Sequence, residues 1–320
     1  MTKTLHQAGI VLFSLLCAFS VHAQNSSSIR LIVPFNPGGG SDLFARIIAP
    51  GLSEALKQTV IVENRAGAGG IIGADYVAKS APDGQTLLVS DSAAYSISPS
   101  LYPALPYAAK DLIPITEVAR FANTLVVAGD SALNTIEDVI RTARQDPNKL
   151  TIASAGNGSS PHLAAEKFQR DANMKLTHVP YKGSGPAIAD TLGRQVDMVF
   201  TGLPSVIEYL KSGRLKAIAI ASLERSPYAP DVPTMSEAGL PGFESFISQG
   251  LFAPKGTPKE VILKLNQATN TFMNSAGLAE RLKQLKVVPS AYTTAQYGAW
   301  LEEQTALWGK LIKDASIKLE

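Results

Sequence analysis

Short apolar runs alternate with helix-period stretches along most of the chain. The runs Ile29–Pro34, Thr59–Glu63, Thr86–Ser90, Thr124–Ala128, Leu150–Ser154, Val196–Phe200 and Leu215–Ala221 are rich in β-formers. They are apolar on successive residues rather than alternating, as strands covered on both faces are. Between them lie amphipathic segments. In Pro258–Asn274, Val261, Leu265, Ala268 and Phe272 share one face, and Thr257-Pro258 supplies a cap and a proline at the first helical position. Near the end, Tyr297, Trp300, Leu301, Trp308 and Leu311 share a face, with Thr293 and Gln296 at capping-box spacing. Strands alternating with helices predict an α/β protein with largely parallel sheets.

The first residues read differently. Lys3 and His6 precede an apolar run from Ile10 to Phe19, and Val21-His22-Ala23 places small residues where a signal peptidase reads them. This is the pattern of a secretory signal removed near Ala23, so residues 1–23 are set aside from the fold and the mature chain is expected in the periplasm. The run is shorter than the about 20 apolar residues a membrane helix needs. The single cysteine, Cys17, lies inside it, and Leu16 stands where lipid attachment at Cys17 would want a small residue. A chain cut after Ala23 has no thiol, hence no disulfide and no cysteine nucleophile or metal ligand. Its length suits about two domains of ~150 residues. Lys and Arg total 29 against 27 Asp and Glu, without a basic block, which argues against nucleic-acid binding.

Two segments carry the candidate chemistry. Arg30–Val33 leads into Pro34-Phe35-Asn36-Pro37-Gly38-Gly39-Gly40-Ser41-Asp42 and a predicted helix, Leu43–Leu56. Leu150–Ser154 leads into Ala155-Gly156-Asn157-Gly158-Ser159-Ser160-Pro161-His162 and a predicted helix, Leu163–Arg170. Each is a strand, a glycine-rich turn and a helix N-terminus. Glycines let a ligand approach bare N–H groups, and the first helical turn offers unpaired donors with a partial positive charge. Ser41, Asp42 and Ser159 can cap. Such a turn holds a carboxylate or phosphate without a lysine, at the carboxyl end of a strand where α/β proteins bind ligands. Two turns on two lobes can grip one anion from opposite sides.

The motif order then becomes familiar. Ile32–Phe35 with Pro37–Asp42, Val62–Gly70, Ala81-Pro82-Asp83-Gly84, Leu101-Tyr102-Pro103, Ala153–Ser159, His178–Gly183, Asp231-Val232-Pro233-Thr234 and Glu237–Gly242 together resemble the Bug family. These are the TctC-type substrate-binding proteins of tripartite tricarboxylate transporters. The resemblance covers essentially the whole mature chain. It implies a type II periplasmic binding-protein fold, two α/β lobes joined by two crossovers with the ligand cleft between them. The crossovers are expected near Phe121–Leu125 and Phe246–Leu251. Lobe I is then residues 24–123 plus 248–320, and lobe II is residues 124–247.

The implied function is capture of a small mono-, di- or tricarboxylate, aromatic ones included, by a monomer that delivers it to membrane permease subunits. A periplasmic sensor subunit for a signalling kinase is the alternative. The expected ligand-binding set is Phe35, Gly38, Gly39, Ser41 and Asp42 from the first turn, and Ser154, Gly156, Asn157, Gly158, Ser159 and His162 from the second. Ser90, Asp91 and Ser92 follow a predicted strand and can line the cleft; Ser90, Ser92, Tyr181 in a loop of the second lobe, and Thr201 complete the set. Thr201 stands where the family often has an acidic residue that would pair with an amino-acid ammonium, so the reading leans toward plain carboxylates. Asn36 stands where a proline is common, and Pro50 is expected to kink the first helix. Lys182 is read as a solvated lysine, Glu63 and Arg65 as a structural pair.

Enzyme readings lack their parts. Gly129-Asp130-Ser131-Ala132 is like a lipase nucleophile segment, but no Asp-x-x-His and no Gly-x-Ser-x-Gly accompanies it. Gly67–Gly73 departs from the stricter dinucleotide fingerprint and lacks its acidic partner. With His162 and His178 as the mature histidines, no zinc site, no cofactor and no catalytic residue is expected.

Overall fold

The computed structural model describes residues 28–314 and Ile317, apart from Tyr228 and Lys286. The predicted signal segment and Ala23 lie outside the described residues. The strands are β1 (Ile29–Val33), β2 (Val60–Asn64), β3 (Thr86–Asp91), β4 (Leu112–Ala128), β5 (Thr151–Ser154), β6 (Thr177–Pro180), β7 (Met198–Gly202), β8 (Leu215–Ile220), β9 (Phe246–Pro254) and β10 (Val288–Pro289). The helices are α1 (Gly40–Leu56), α2 (Ile71–Ala78), α3 (Ala93–Ser96), α4 (Ser98–Leu101), α5 (Ile136–Gln145) and α6 (Ser160–Asp171). They continue with α7 (Ser184–Leu192), α8 (Leu203–Lys211), α9 (Lys259–Met273), α10 (Ala276–Gln284) and α11 (Thr294–Asp314).

The strand order is β2-β1-β3-β9-β4-β7-β5-β6, with β10 and β8 also on β4. One strand builds both lobes. From Leu112 to Ala122, β4 runs antiparallel to β9; from Asn123 to Val127 it runs antiparallel to β7. The chain thus crosses at Ala122-Asn123, and again beside Ser245, whose N–H donates to Ala221 O while its own carbonyl accepts the Asn123 N–H. The expectation of parallel sheets holds for β2-β1-β3 and for β7-β5-β6. The strands near the crossings, β4 and β9, are antiparallel to their neighbours.

Neighbouring apolar residues face opposite cores, which explains the unbroken runs. Leu31 and Val33 pack with α1, α9 and α10, while Ile32 packs with α2, α3 and α11. In lobe II, Leu125 and Val127 pack with α5 and α6, and Val126 with α7 and α8. Each lobe is therefore a sheet with helices on both faces, as two-sided burial requires.

Several local expectations need correction. The β-run at Thr124–Ala128 is the end of a strand beginning at Leu112. β6 was not expected; its residues are half-buried or exposed and carry little apolar signal. As expected, Pro50 falls inside α1, where it sits on the exposed side. In α9, Pro258 is the N-cap rather than the first helical residue, and Thr257 Oγ1 donates to Pro254 O instead of capping. Its buried line is Ile262, Leu265, Ala268, Thr269 and Met273, with Val261 and Phe272 only partly covered. The Thr293–Gln296 box forms as its spacing predicts.

Candidate functional site

The two lobes touch across a cleft. The Asn36 N–H donates to Lys182 O at 2.7 Å, and Tyr102 OH donates to Asn157 O at 2.8 Å. The Ser160 N–H and hydroxyl donate to Asp91 Oδ2 and Oδ1 at 3.0 and 2.7 Å. Contacts are tight enough to leave no room for side chains. A Cβ on Gly69 would fall 1.8 Å from Asn157 O, and one on Gly185 would fall 2.1 Å from Pro37 O. The lobes are closed on each other.

Between them lies a small cavity of ≈ 20 Å³ that opens to solvent. Lobe I lines it with Phe35, Gly39, Gly40, Ser41, Asp91, Phe121, Ile247 and Gln249; lobe II lines it with Ala155, Pro161, Ser184 and Gly202. Four helices begin at this wall: α1 at Gly40, α6 at Ser160, α7 at Ser184 and α8 at Leu203. Each brings the partial positive charge of a helix start, and α1, α7 and α8 bring unpaired N–H donors; in α6 the Ser160 and His162 N–H groups are taken by Asp91 and Ser159. Among the described residues, none that lines it is basic. Ser41 Oγ donates to Gln249 Oε1 at 2.7 Å, which sets the amide's orientation with Nε2 3.1 Å from where a Cβ on Gly40 would sit. The arrangement offers backbone and amide donors to an anion, with Phe35, Phe121 and Ile247 as an apolar floor.

The structure scatters the sequence-predicted residues. Phe35, Gly39 and Ser41 line the cavity. Gly38 sits on its rim, with positive φ and lobe II's Gly185 at its α-carbon. Asp42 instead braces the first turn: it accepts the Gly38 N–H and holds Arg46 and Asn64. Burial works to raise the Asp42 carboxyl pKa, but these partners outweigh it and hold the value below the usual range. Ser90 and Ser92 are buried behind Asp91, where Ser90 Oγ donates to Asp91 O and Ser92 N–H to Ser248 O. Thr201 is buried on the side of its sheet that carries α7 and α8, and its hydroxyl has no partner.

Most of the second turn is occupied with itself. Ser154 Oγ accepts the Gly156 N–H, Ser159 Oγ donates to Gly156 O and caps the His162 N–H, and the Gly158 N–H donates to His162 Nδ1. Gly156, Asn157 and Gly158 meet Gly69 and Tyr102 of lobe I and form the seam between the lobes. His162 packs against His178 with ring centroids 4.4 Å apart and the rings tilted by 34°, and it faces a separate polar cavity with Glu166 and Thr177. Burial, then the neighbouring ring, lowers His162 to about 3, and burial lowers His178 to about 4. Tyr181 donates to Asp190; burial and that carboxylate push it up to about 12. Lys182 uses its carbonyl at the seam, and Glu63 pairs with Arg30 and Arg65.

Sequence reading missed Ser184, Gly202, Phe121, Ile247 and Gln249. The first two carried a signal: Gly183-Ser184-Gly185-Pro186 and Gly202-Leu203-Pro204 are glycine followed by proline in a helix's first turn. The last three lie on the crossing strands, whose cleft-facing residues have no local mark.

The family model described as tripartite tricarboxylate transporter family receptor matches residues 44–317. Protein BugT of Bordetella pertussis is 37% identical, over 100% of this chain and 99% of that one. The structure of periplasmic binding protein BugD superposes with a TM-score of 0.86 at 35% identity, covering 92% of this chain and 99% of that one. An R. palustris protein solved with adipate gives 0.87 at 32% identity, covering 91% and 98%. MatC from Rhodopseudomonas palustris, with bound malate, gives 0.85 at 31% identity, covering 89% and 98%.

Proposed function

This chain belongs to the receptor family of the tripartite tricarboxylate transporters, and we propose that it captures a small carboxylate in the cleft between its lobes and presents it to membrane permease subunits. One observation carries the reading: four helix N-termini meet at a closed interlobe cavity whose lining, among the described residues, has no basic side chain. Charge-assisted hydrogen bonds contribute ~1.5–3 kcal/mol each, so a few suffice for roughly micromolar binding, about 8 kcal/mol. The ligands printed for the two R. palustris neighbours, adipate and malate, are carboxylates.

The proposal extends to the chain's organisation. Residues 1–23 serve as a removed signal, lobe I is 24–123 plus 248–320, lobe II is 124–247, and the receptor acts as a monomer. Residues of the first turn hold the anion directly, while the second turn supplies the seam that closes over it. No helix among the described residues is long and apolar enough to cross a membrane.

Catalysis is not part of the proposal. Ser154 Oγ lies 2.7 Å from His178 Nε2, a nucleophile–base spacing, but Ser154 is wholly buried and its hydroxyl is engaged by Gly156. A substrate has no approach to it.

A thermal-shift screen of residues 24–320 against small carboxylates, amino acids, sugars and nucleotides tests the function. Ligand binding to the native state raises the melting temperature by mass action. Shifts with carboxylates are expected; shifts with sugars or nucleotides alone would overturn the reading.

A further inference from the structure

Phe121 lies on β4 beside the first crossing, opposite Ile247 of β9. Its ring stands between the two lobes. A Cβ on Gly40, at the start of α1, would fall 3.0 Å from Phe121 Cζ, and one on Gly202, the N-cap of α8, would fall 2.1 Å from Cε2. Neither glycine is demanded by its backbone: Gly202 has φ −78° and ψ 139°, and Gly40 lies outside the left-handed region. What their missing side chains supply is room for the ring. The ring is also held in place. Phe44 stacks on it with centroids 5.7 Å apart, and Phe121 is buried.

The ring therefore borders the donors that a ligand carboxylate would use. It touches the starts of α1 and α8, and the start of α7 adjoins that of α1, where a Cβ on Gly39 would lie 3.5 Å from the Ser184 nitrogen. Whichever of these starts takes the carboxylate, the ring is next to it. Phe35, the other ring in the lining, has its tip at Gly70 of its own lobe. The cavity left between the lobes, ≈ 20 Å³, is little more than the roughly 10–15 Å³ that one water needs. With the ring fixed, a larger body enters only as the lobes part, which stretches the Asn36–Lys182 and Tyr102–Asn157 bonds further with each added carbon.

We propose that Phe121 is the specificity-determining residue of this cleft: it restricts the ligand to carboxylates with a body of about one or two carbons, and its removal admits longer-chain and aromatic acids. The inference rests on the carboxylate-receptor reading and narrows its ligand class by size. Truncation at Phe121 leaves an apolar void beside Phe44 and Ile247, and voids of that kind stay dry and take apolar guests.

The test is calorimetric titration of the mature chain and of Phe121→Ala with two series: acetate, propanoate, hexanoate and benzoate, and malonate, succinate, adipate and terephthalate. In the wild type, the first two members of whichever series binds should bind at least tenfold more tightly than the last two. In Phe121→Ala, the affinity of the last two relative to the first two should rise at least tenfold. A ring that only supports the fold would lower all affinities together and leave that ratio unchanged. Phe121→Leu, which keeps an apolar side chain in the core, should raise the ratio at least threefold and replaces the alanine variant if that one folds poorly. The wild-type comparison stands in either case. Hexanoate, adipate or an aromatic acid binding the wild type as tightly as the small members, or a ratio that a folded variant leaves unchanged, would overturn the inference alone. Failure of every carboxylate to bind, with binding of another ligand class, would overturn the receptor reading with it.

Discussion

Gly185→Ala tests whether closure of the lobes, rather than the cleft wall alone, holds the ligand. Gly185 lies in the first turn of α7 at ordinary helical φ. Alanine favours a helix over glycine by about 1 kcal/mol, which opposes the penalty of an α-conformation before Pro186. Lobe II should therefore fold normally. The added Cβ, however, would stand 2.1 Å from Pro37 O of lobe I. The lobes must retreat by about 1 Å for that contact to become tolerable, and a hydrogen bond stretched this far is lost. The nearest is Asn36 N–H to Lys182 O at 2.7 Å; the Asp91–Ser160 pair and Tyr102–Asn157 bond are stretched with it. One neutral bond at ~1 kcal/mol and one charge-assisted bond at ~2 kcal/mol give a loss of about 2–4 kcal/mol once partial losses are counted. At 1.4 kcal/mol per factor of ten, affinity should fall roughly 30- to 700-fold. Calorimetry with the carboxylate giving the largest thermal shift measures it, and small-angle scattering reports whether ligand still compacts the protein. Gly277→Ala in α10, where a Cβ meets nothing within 4 Å, is the control. Wild-type affinity and wild-type compaction in Gly185→Ala would refute the closure mechanism.

Other outcomes follow from single residues. Tyr102→Phe removes one neutral bond across the seam and should weaken binding by about fivefold, from ~1 kcal/mol, in the same titration. Thr201→Val removes a buried hydroxyl without a partner, so urea unfolding should show stability unchanged or raised by up to about 1 kcal/mol, with ligand affinity intact; lost affinity would place Thr201 in the site. Stability should fall with acidity below about pH 6.5. His162 and His178 are held neutral in the fold, at about 3 and about 4, whereas in the unfolded chain they protonate near 6.5. Their contribution is full above pH 6.5 and is lost as pH falls toward the folded values; at pH 5 it costs about 2 kcal/mol per histidine. Urea midpoints at pH 7 and pH 5 measure this, and His178→Asn should flatten the difference.

The repeating strand and helix periods determined the α/β class, because the central strands are covered on both faces and each core needs apolar residues at consecutive positions, as Leu31, Ile32 and Val33 show. The glycine-rich turn from Pro37 to Ser41 also announced itself, since only bare backbone before a helix start makes that pattern. Three things were decided by tertiary structure. The strand that builds both lobes, β4, reads locally as an ordinary apolar run, because pairing partners far along the chain assign its two halves to different sheets. The second turn looked like a twin of the first, yet its donors are spent on Ser154, His162 and Asp91, partners fixed by packing rather than by sequence neighbourhood. The cleft's remaining wall comes from Phe121, Ser184, Gly202, Ile247 and Gln249, which converge only when two lobes close. Local periodicity and turn chemistry are short-range quantities and survive in the sequence; which groups face one another across a cleft is a long-range consequence of how two sheets are joined, and only the folded chain records it.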